Sequence, residues 1–544
     1  MAAASQKVQG ELSSIRDTVE SIWVAIVLAF VLRAFMIEAF VIPTGSMAPR
    51  LLGEHWDLVC PSCGYEYAFG GPRDRPDQGA SISRSQQHVP SDARCPSCGA
   101  LCDPAGRYIN GGDRVLVLKY LYRFVPPRPW EVVVFRNPQN NRENYIKRLV
   151  GLPGETIEIV HGDIFVSQSS DGPRRIRRKP HSAQESMWQV VYDNDYRPDT
   201  RRIRDGSSPQ WVVSSGARDW DIEGFHGRRL AYKGGQGAGE VVLRAQPRAF
   251  LPHYGYNSVA AEFIDPTTDI CGDLKLSFLF VPQDRKAKVG LTLTSFEHRF
   301  RGEVHAEGTA RLLYQHKDWP QDRWEQWETA KLEGPLPPGQ GCEVALVHAD
   351  FGVALWVGGR AVIEITDRYP EDYDSLKQRV SQVAQRPIPI PEVKIAAWGG
   401  ACELWHVKLF RDAYYTNASK APVDPRPLGD FAREQHVAGG QPPGWGTTGN
   451  PITLARYRDN PDLDEFFVLG DNSPQSLDGR GWTSAAPTLR LKDDNGRPLY
   501  QLGTVPRYNL IGKAFFVYWP AGFRLPGLPG LPLVPNVGKM RLIR

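Results

Sequence analysis

A chain of 544 residues has room for about three or four domains. Lys and Arg number 65 against 61 Asp and Glu, a net charge of +4; with no basic stripe interleaved with aromatics, this excludes a nucleic-acid binder. Gly 52 and Pro 45, together with Trp 15 and Tyr 20, point to many short strands joined by turns and not to helix bundles.

Residues 1–20 are polar and mixed in charge. From Ile22 to Ile42 the chain is apolar apart from Arg33 and Glu38. As a helix this stretch reaches about 31 Å, enough to span a bilayer. Arg33 at its centre would cost about 2.5–3.5 kcal/mol, so the span is better placed near 17–36, with Arg33 snorkelling at its end. No small-x-small cleavage site follows at once, which predicts an uncleaved anchor in the lipid bilayer. Directly after it comes Val41-Ile42-Pro43-Thr44-Gly45-Ser46-Met47-Ala48-Pro49, a small-residue turn carrying one serine.

Cys60-Pro-Ser-Cys63-Gly and Cys95-Pro-Ser-Cys98-Gly are two copies of one knuckle. Each sets two thiolates around a tight Gly turn, half of a tetrahedral zinc site. Four cysteines leave no open position, so the expected zinc is structural; two disulfides are the alternative outside the cytoplasm. Strands are expected over Asp113–Lys119, Trp130–Phe135, Thr156–Val160 and Gly162–Val166. Between them runs Asn144-Tyr145-Ile146-Lys147-Arg148-Leu149-Val150-Gly151-Leu152-Pro153-Gly154-Glu155, an apolar strand with a lysine inside it.

From about 168 to 460 the texture is strand and turn. Strands are expected at Leu274–Val281, Gly290–Thr294, Glu343–His348, Gly352–Val357, Ala361–Thr366, Lys394–Trp398 and Glu403–Phe410, with a Gly358-Gly359 hairpin. This spacing predicts an antiparallel β-sandwich. The run Val353-Ala-Leu-Trp-Val-Gly-Gly-Arg-Ala-Val-Ile-Glu364 resembles the concanavalin-like (laminin-G-like) jelly rolls, which suggests a docking module for a glycan or a protein partner. The last dense run is Glu465-Phe-Phe-Val-Leu-Gly470-Asp471-Asn472-Ser473-Pro474-Gln475-Ser476-Leu477-Asp478-Gly479-Arg480. Asp478 and Arg480 are spaced for a charge-assisted pair, and a strand follows over Val505–Tyr518.

Three separated segments, about 20–59, 110–166 and 462–520, resemble the type I signal peptidases together and in family order. The motifs are the anchor, Ile42-Pro-Thr-Gly-Ser-Met47 with Pro49, Gly112-Asp-Arg-Val-Leu-Val117, Tyr145-Ile-Lys-Arg-Leu-Val-Gly-Leu-Pro-Gly-Glu155 and Gly470-Asp-Asn-Ser-Pro-Gln-Ser-Leu-Asp-Gly-Arg480. Three positions depart from the family pattern: Thr44 stands where the family often has a Ser but keeps the hydroxyl, Arg50 stands for a more usual Thr and Gly479 for a more usual Ser.

The resemblance implies a serine endopeptidase that removes signal peptides from exported preproteins after Ala-x-Ala-like sites. Ser46 is then the nucleophile and Lys147 the general base, with no catalytic cofactor. An ordinary lysine has a pKa of about 10.4, so burial must lower it. Ser476 is expected to orient the lysine, Thr44 to complete an oxyanion hole, and Asp478 and Arg480 to support them. The substrate is expected to add as a strand along Phe40, Ile42, Pro43, Asn144, Tyr145 and Ile146.

The expected architecture is mainly β: a cytoplasmic tail (1–16), a transmembrane helix (17–40), a catalytic core in three parts (41–58, 104–167 and 461–544), a zinc-ribbon-like insertion (59–103) and a sandwich insertion (168–460). The resemblance places the protein in the inner membrane as a single-pass chain, with the catalytic domain on the periplasmic side.

Overall fold

The computed structural model describes residues 18–28, 36–71, 93–104, 107, 109–198, 209–215, 219–235, 237–245, 247–252, 255–257, 267–417, 444–490, 496, 498–521 and 536–544. The expected tail, residues 17 and 29–35 of the expected anchor, and residues 72–92 between the knuckles lie outside them. Residues 18–28 are helical, and every described side chain on this helix is exposed, including Val19, Ile22, Trp23, Val24, Val27 and Leu28. Among the described residues no helix is long and apolar enough to cross a membrane. The expected anchor boundary at residue 40 is corrected: Ile37–Val41 is a strand, paired with Arg114–Leu118.

The core is an antiparallel sheet assembled from the second and third expected core segments and from a strand, Ile37–Val41, that lies almost wholly within the span expected for the anchor. Its order is Ile37–Val41, Arg114–Leu118, Leu510–Trp519, Val132–Arg136, Asn144–Gly151, Glu465–Leu469 and Val505–Pro506, with Arg541–Leu542 added to Leu510–Trp519. The expected strand Val505–Tyr518 is therefore two strands, broken by a 3-10 turn at Arg507–Asn509. One layer of apolar side chains joins the sheet to the Ser46 turn: Ile42, Met47 and Leu51 pack with Val115, Val117, Val132, Val134 and Ile146. Thr156–Val160 and Asp163–Ser167 form a smaller sheet with Ile452–Thr453 and Arg175–Ile176. The last two strands fall inside the span assigned to the sandwich insertion, so its boundaries contract.

The sandwich runs from Gln189–Asp193 to Cys402–Arg411. Two antiparallel sheets, one of eight strands and one of seven, share a single apolar core that includes Leu276, Phe278, Leu291, Leu346, Leu355 and Ile395. The seven expected sandwich strands are present within a residue or two of their expected ends. The Gly358-Gly359 turn joins Gly352–Val357 to Arg360–Ile365, and both glycines have positive φ, 60° and 77°, as a tight hairpin turn requires. His298–His305, Thr309–His316 and Glu325–Lys331 were not anticipated. Glu325–Lys331 buries only Trp327, and the other two carry polar ends that hide their alternation.

The expected zinc-ribbon-like region is anchored by a hairpin of His55–Val59 and Glu66–Gly70, with the second knuckle packed against it.

Candidate active site

The Ser46 turn is fixed from several sides. The Ile42 amide donates to the Asp113 carbonyl at 2.9 Å, and the Asp113 amide donates to the Leu52 carbonyl at 2.8 Å. The Asp113 carboxylate accepts from the Leu52 amide and from Arg541. Gly112 lies directly against the Ile42 carbonyl, where a Cβ would overlap it. This close approach explains the Gly112-Asp113 pair in the sequence.

Lys147 reaches the same point from strand Asn144–Gly151. Its Nζ lies 2.7 Å from Ser46 Oγ and 3.1 Å from the Ile146 carbonyl. Ser46 is 8% exposed and Lys147 4%. Burial disfavours the ammonium form and lowers the Lys147 pKa to about 8; Asp478 and Asp471 oppose that shift, and Arg480 adds to it. The Tyr145 ring lies beneath the same nitrogen, 5.1 Å from its centroid.

Gly470–Arg480 forms the wall behind the pair. Asp478 and Arg480 are fully buried and joined at 2.8 and 2.9 Å, the charge-assisted pair expected from their spacing. Asp478 also accepts from the Gly470 amide, while Arg480 donates to Ser473 and Thr416. Gly470 lets Ser476 and Ser46 come together: a Cβ there would overlap Ser476 Oγ and meet the Ser46 carbonyl at 2.5 Å. Ser476 is completely buried, but its Oγ has no hydrogen-bond partner among the described residues. The expected bond from Ser476 to the lysine is therefore absent, because Lys147 points its donors at Ser46 and Ile146. Thr44 is half-buried two residues before Ser46.

Sequence reasoning missed three supports. Arg148 is fully buried and grips Asp471 through Nε and Nη2 at 2.6 and 2.7 Å. Its Nη1 donates to the Trp130 carbonyl. Two adjacent cations in one apolar strand were the available signal for it. Asn472 donates its amide N–H to the Ser46 carbonyl at 3.1 Å and its Nδ2 to the Gly45 carbonyl at 2.9 Å. Asn257, from the sandwich insertion, then pairs with Asn472. No motif announces that contact.

Of the expected substrate-lining residues, Phe40, Ile42 and Ile146 share one apolar cluster, and Tyr145 packs in a neighbouring cluster with Phe135 and Trp482. Pro43 is exposed at the turn, and Asn144 begins the Lys147 strand. That strand pairs with Val132–Arg136 along Asn144–Arg148, whereas Glu465–Leu469 meets it only at Arg148, Leu149 and Gly151. One edge of Asn144–Lys147 therefore lies outside the ladder.

In the knuckles, Cys60 and Cys98 place their sulfurs 3.5 Å apart, and Cys63 and Cys95 place theirs 3.6 Å apart. All four lie within 4.8 Å of one another. A disulfide requires about 2.05 Å, and all eight cysteines are free thiols. Tetrahedral zinc with bonds of about 2.3 Å separates its sulfurs by about 3.8 Å, so this set fits the metal. Gly64 and Gly99 carry positive φ and send their amides back to the Cys60 and Cys95 carbonyls, closing both turns.

A serine touching a buried lysine within an antiparallel β core defines a peptidase-like site. The Signal peptidase, peptidase S26, family matches residues 107–208 and 452–519. These segments, which hold Lys147 and Ser476 but not Ser46, match the peptidase S26 family, and the relatives they resemble are signal peptidases I. It is similar to "Signal peptidase I" of Leptolyngbya laminosa, 32% identical over 15% of this chain and 38% of that protein. It is also similar to "Signal peptidase I" of Pseudomonas fluorescens, 25% identical over 36% of this chain and 55% of the relative. The chain thus spans only about half, or less, of the relatives it matches. Among solved structures it is similar to the carbohydrate binding module CBM66 from Bacillus subtilis, at 10% identity and a TM-score of 0.24, over 37% of this chain and 94% of that one. A likeness of that size assigns neither fold nor ligand.

Proposed function

We propose that this protein is a membrane-bound signal peptidase that cuts exported preproteins after small-x-small sites, with Ser46 as nucleophile and Lys147 as general base. The observation that carries the reading is the 2.7 Å contact between Ser46 Oγ and a buried lysine whose pKa is lowered to about 8. Neutral Lys147 takes the Ser46 proton as Oγ attacks the scissile carbonyl. The Ser46 N–H and the Thr44 hydroxyl face the developing oxyanion. Lys147 returns the proton to the leaving amine, which frees the mature protein. It then activates water to release the signal peptide from the acyl-enzyme. Ser476, buried beside the pair, accepts a hydrogen bond from Lys147 once the Ser46 hydroxyl is consumed by acylation.

The preprotein adds as an extended strand between Phe40–Pro43 and the open edge of Asn144–Ile146. Ile42, Ile146 and Tyr145 wall its pockets, so only small side chains fit. The exposed apolar side chains of the helix at 18–28 support an anchor in the inner membrane, and the resemblance to type I signal peptidases implies a catalytic domain on the periplasmic side. Cys60, Cys63, Cys95 and Cys98 hold a structural zinc.

The test is to purify the full chain, Ser46→Ala and Lys147→Ala in detergent and offer each a preprotein with an Ala-x-Ala site. Cleavage at that site by the parent chain alone is expected. Failure of the parent chain to cut, or equal cutting by both variants, would overturn the reading.

A further inference from the structure

Tyr256 and Asn257 belong to the sandwich insertion, outside the segments matched to the peptidase family, yet both are buried against the Ser46 turn. Tyr256 is fully buried and Asn257 is 5% exposed. The two Asn side chains form a reciprocal amide pair: Asn257 Nδ2 donates to Asn472 Oδ1 at 2.7 Å, and Asn472 Nδ2 donates to Asn257 Oδ1 at 2.8 Å. Asn472 in turn holds both the Gly45 and Ser46 carbonyls. One residue earlier, the Tyr256 ring lies flush on Gly45, where any Cβ would overlap the ring. Its hydroxyl donates to the Glu54 carbonyl at 3.0 Å, and its carbonyl accepts from the Gly70 amide at 2.6 Å. Gly255 packs against Pro96 of the second knuckle, within 2.8 Å of an added Cβ.

A buried reciprocal amide pair fixes both side chains, because each donor and acceptor is matched and neither can rotate without leaving a polar atom unpaired. The fixed Asn472 side chain holds the Gly45 carbonyl, next to the Ser46 nitrogen, while the Asn472 backbone N–H holds the Ser46 carbonyl. Those carbonyls determine where Oγ and the backbone N–H point. A displacement of about 1 Å at such a centre costs on the order of a hundredfold in rate.

We propose that Tyr256 and Asn257 are positioning residues for the Ser46 nucleophile, through which the sandwich insertion and the cysteine knuckles set the geometry of the peptidase site. The proposal rests on the signal-peptidase reading for its kinetic consequence but not for its structural one.

Two measurements test it on the full chain. For preprotein cleavage, Asn257→Ala and Tyr256→Ala should lower kcat at least tenfold with KM within threefold of the parent value, in samples whose melting temperature shows them folded. For a readout independent of turnover, the Ser46→Cys variant is alkylated with iodoacetamide and followed by peptide mass mapping across pH. Adding Asn257→Ala should change the alkylation rate of that thiol at least fivefold and move the pH at which it is half-maximal, since its approach to Lys147 changes. Should Asn257→Ala fail to fold, Asn257→Asp keeps the shape and the acceptor while losing the donor, and a smaller change in the same sense is expected. Rates and pH midpoints within twofold and a few tenths of a pH unit of the parent, in any folded variant, would overturn the proposal. If the parent chain cleaves nothing, the signal-peptidase reading fails, and the alkylation experiment still decides the positioning role.

Discussion

Lys147 Nζ lies 2.7 Å from Ser46 Oγ across 101 positions of sequence, and both side chains are almost wholly buried. Only neutral lysine can take the serine proton. With the Lys147 pKa lowered to about 8, about one molecule in ten carries the neutral base at pH 7. The kcat/KM for preprotein cleavage should rise roughly tenfold per pH unit below pH 7 and level off above about 8. A pH–rate profile with its acidic limb near 6 or near 10 would contradict the assignment.

The same lysine costs stability. Its folded pKa lies below the unfolded value, so the unfolded chain binds more protons between about 8 and about 10.4, and stability rises with pH through that window. Below it the charged, buried ammonium is penalised in full. Lys147→Met should therefore abolish cleavage and stabilise the fold by about 1–3 kcal/mol at pH 6–7, and the gain should vanish above pH 10.5. Urea melts at two pH values measure this; a variant less stable at both would refute it.

Ser476 separates stability from activity. Its hydroxyl is buried and makes no hydrogen bond among the described residues, so Ser476→Ala should leave the melting temperature unchanged or slightly raised. The kcat should nevertheless fall about tenfold to a hundredfold, with little change in KM, because Lys147 loses its partner after Ser46 is acylated. Equal losses of stability and activity would assign Ser476 a packing role alone.

Arg148 and Asp471 form a fully buried bidentate pair next to Lys147. Breaking one side leaves an uncompensated charge, so Asp471→Asn or Arg148→Met should each destabilise by about 3–5 kcal/mol, and the double replacement by less than the sum. Chemical denaturation of the four proteins closes this cycle.

The knuckle sulfurs are spaced for tetrahedral zinc. Metal analysis of protein purified without added zinc should find one zinc per chain, and Cys95→Ser should lower that content and the melting temperature together. A metal-free protein of unchanged stability would leave the cysteines as plain packing.

Much of this was legible before any fold was known. Short apolar runs bounded by turn residues located Arg114–Leu118, Thr156–Val160 and seven of the fifteen described sandwich strands. The Ser46 turn, the Lys147 strand and the Gly470–Arg480 run were each readable as local motifs. Contacts set by chain folding were not. Arg148 meets Asp471, and Asn257 meets Asn472, only because three core segments and an insertion converge, and neither pair has a sequence spacing that betrays it. The Ser476 partner was misjudged for a related reason: a lysine with several acceptors within reach chooses by local geometry. The sandwich boundaries moved because Arg175–Ile176 and Ile452–Thr453 read as generic β yet pair with the core.

The first and last strands of the sandwich are neighbours: Gln189 faces Arg411 in one antiparallel ladder. The chain thus leaves the core and returns to it at a single doorway. A module whose ends meet can be acquired in one recombination event, because the host needs only a surface loop in which to open a gap. A chain with residues 189–411 replaced by a short turn would keep every described strand of the core sheet.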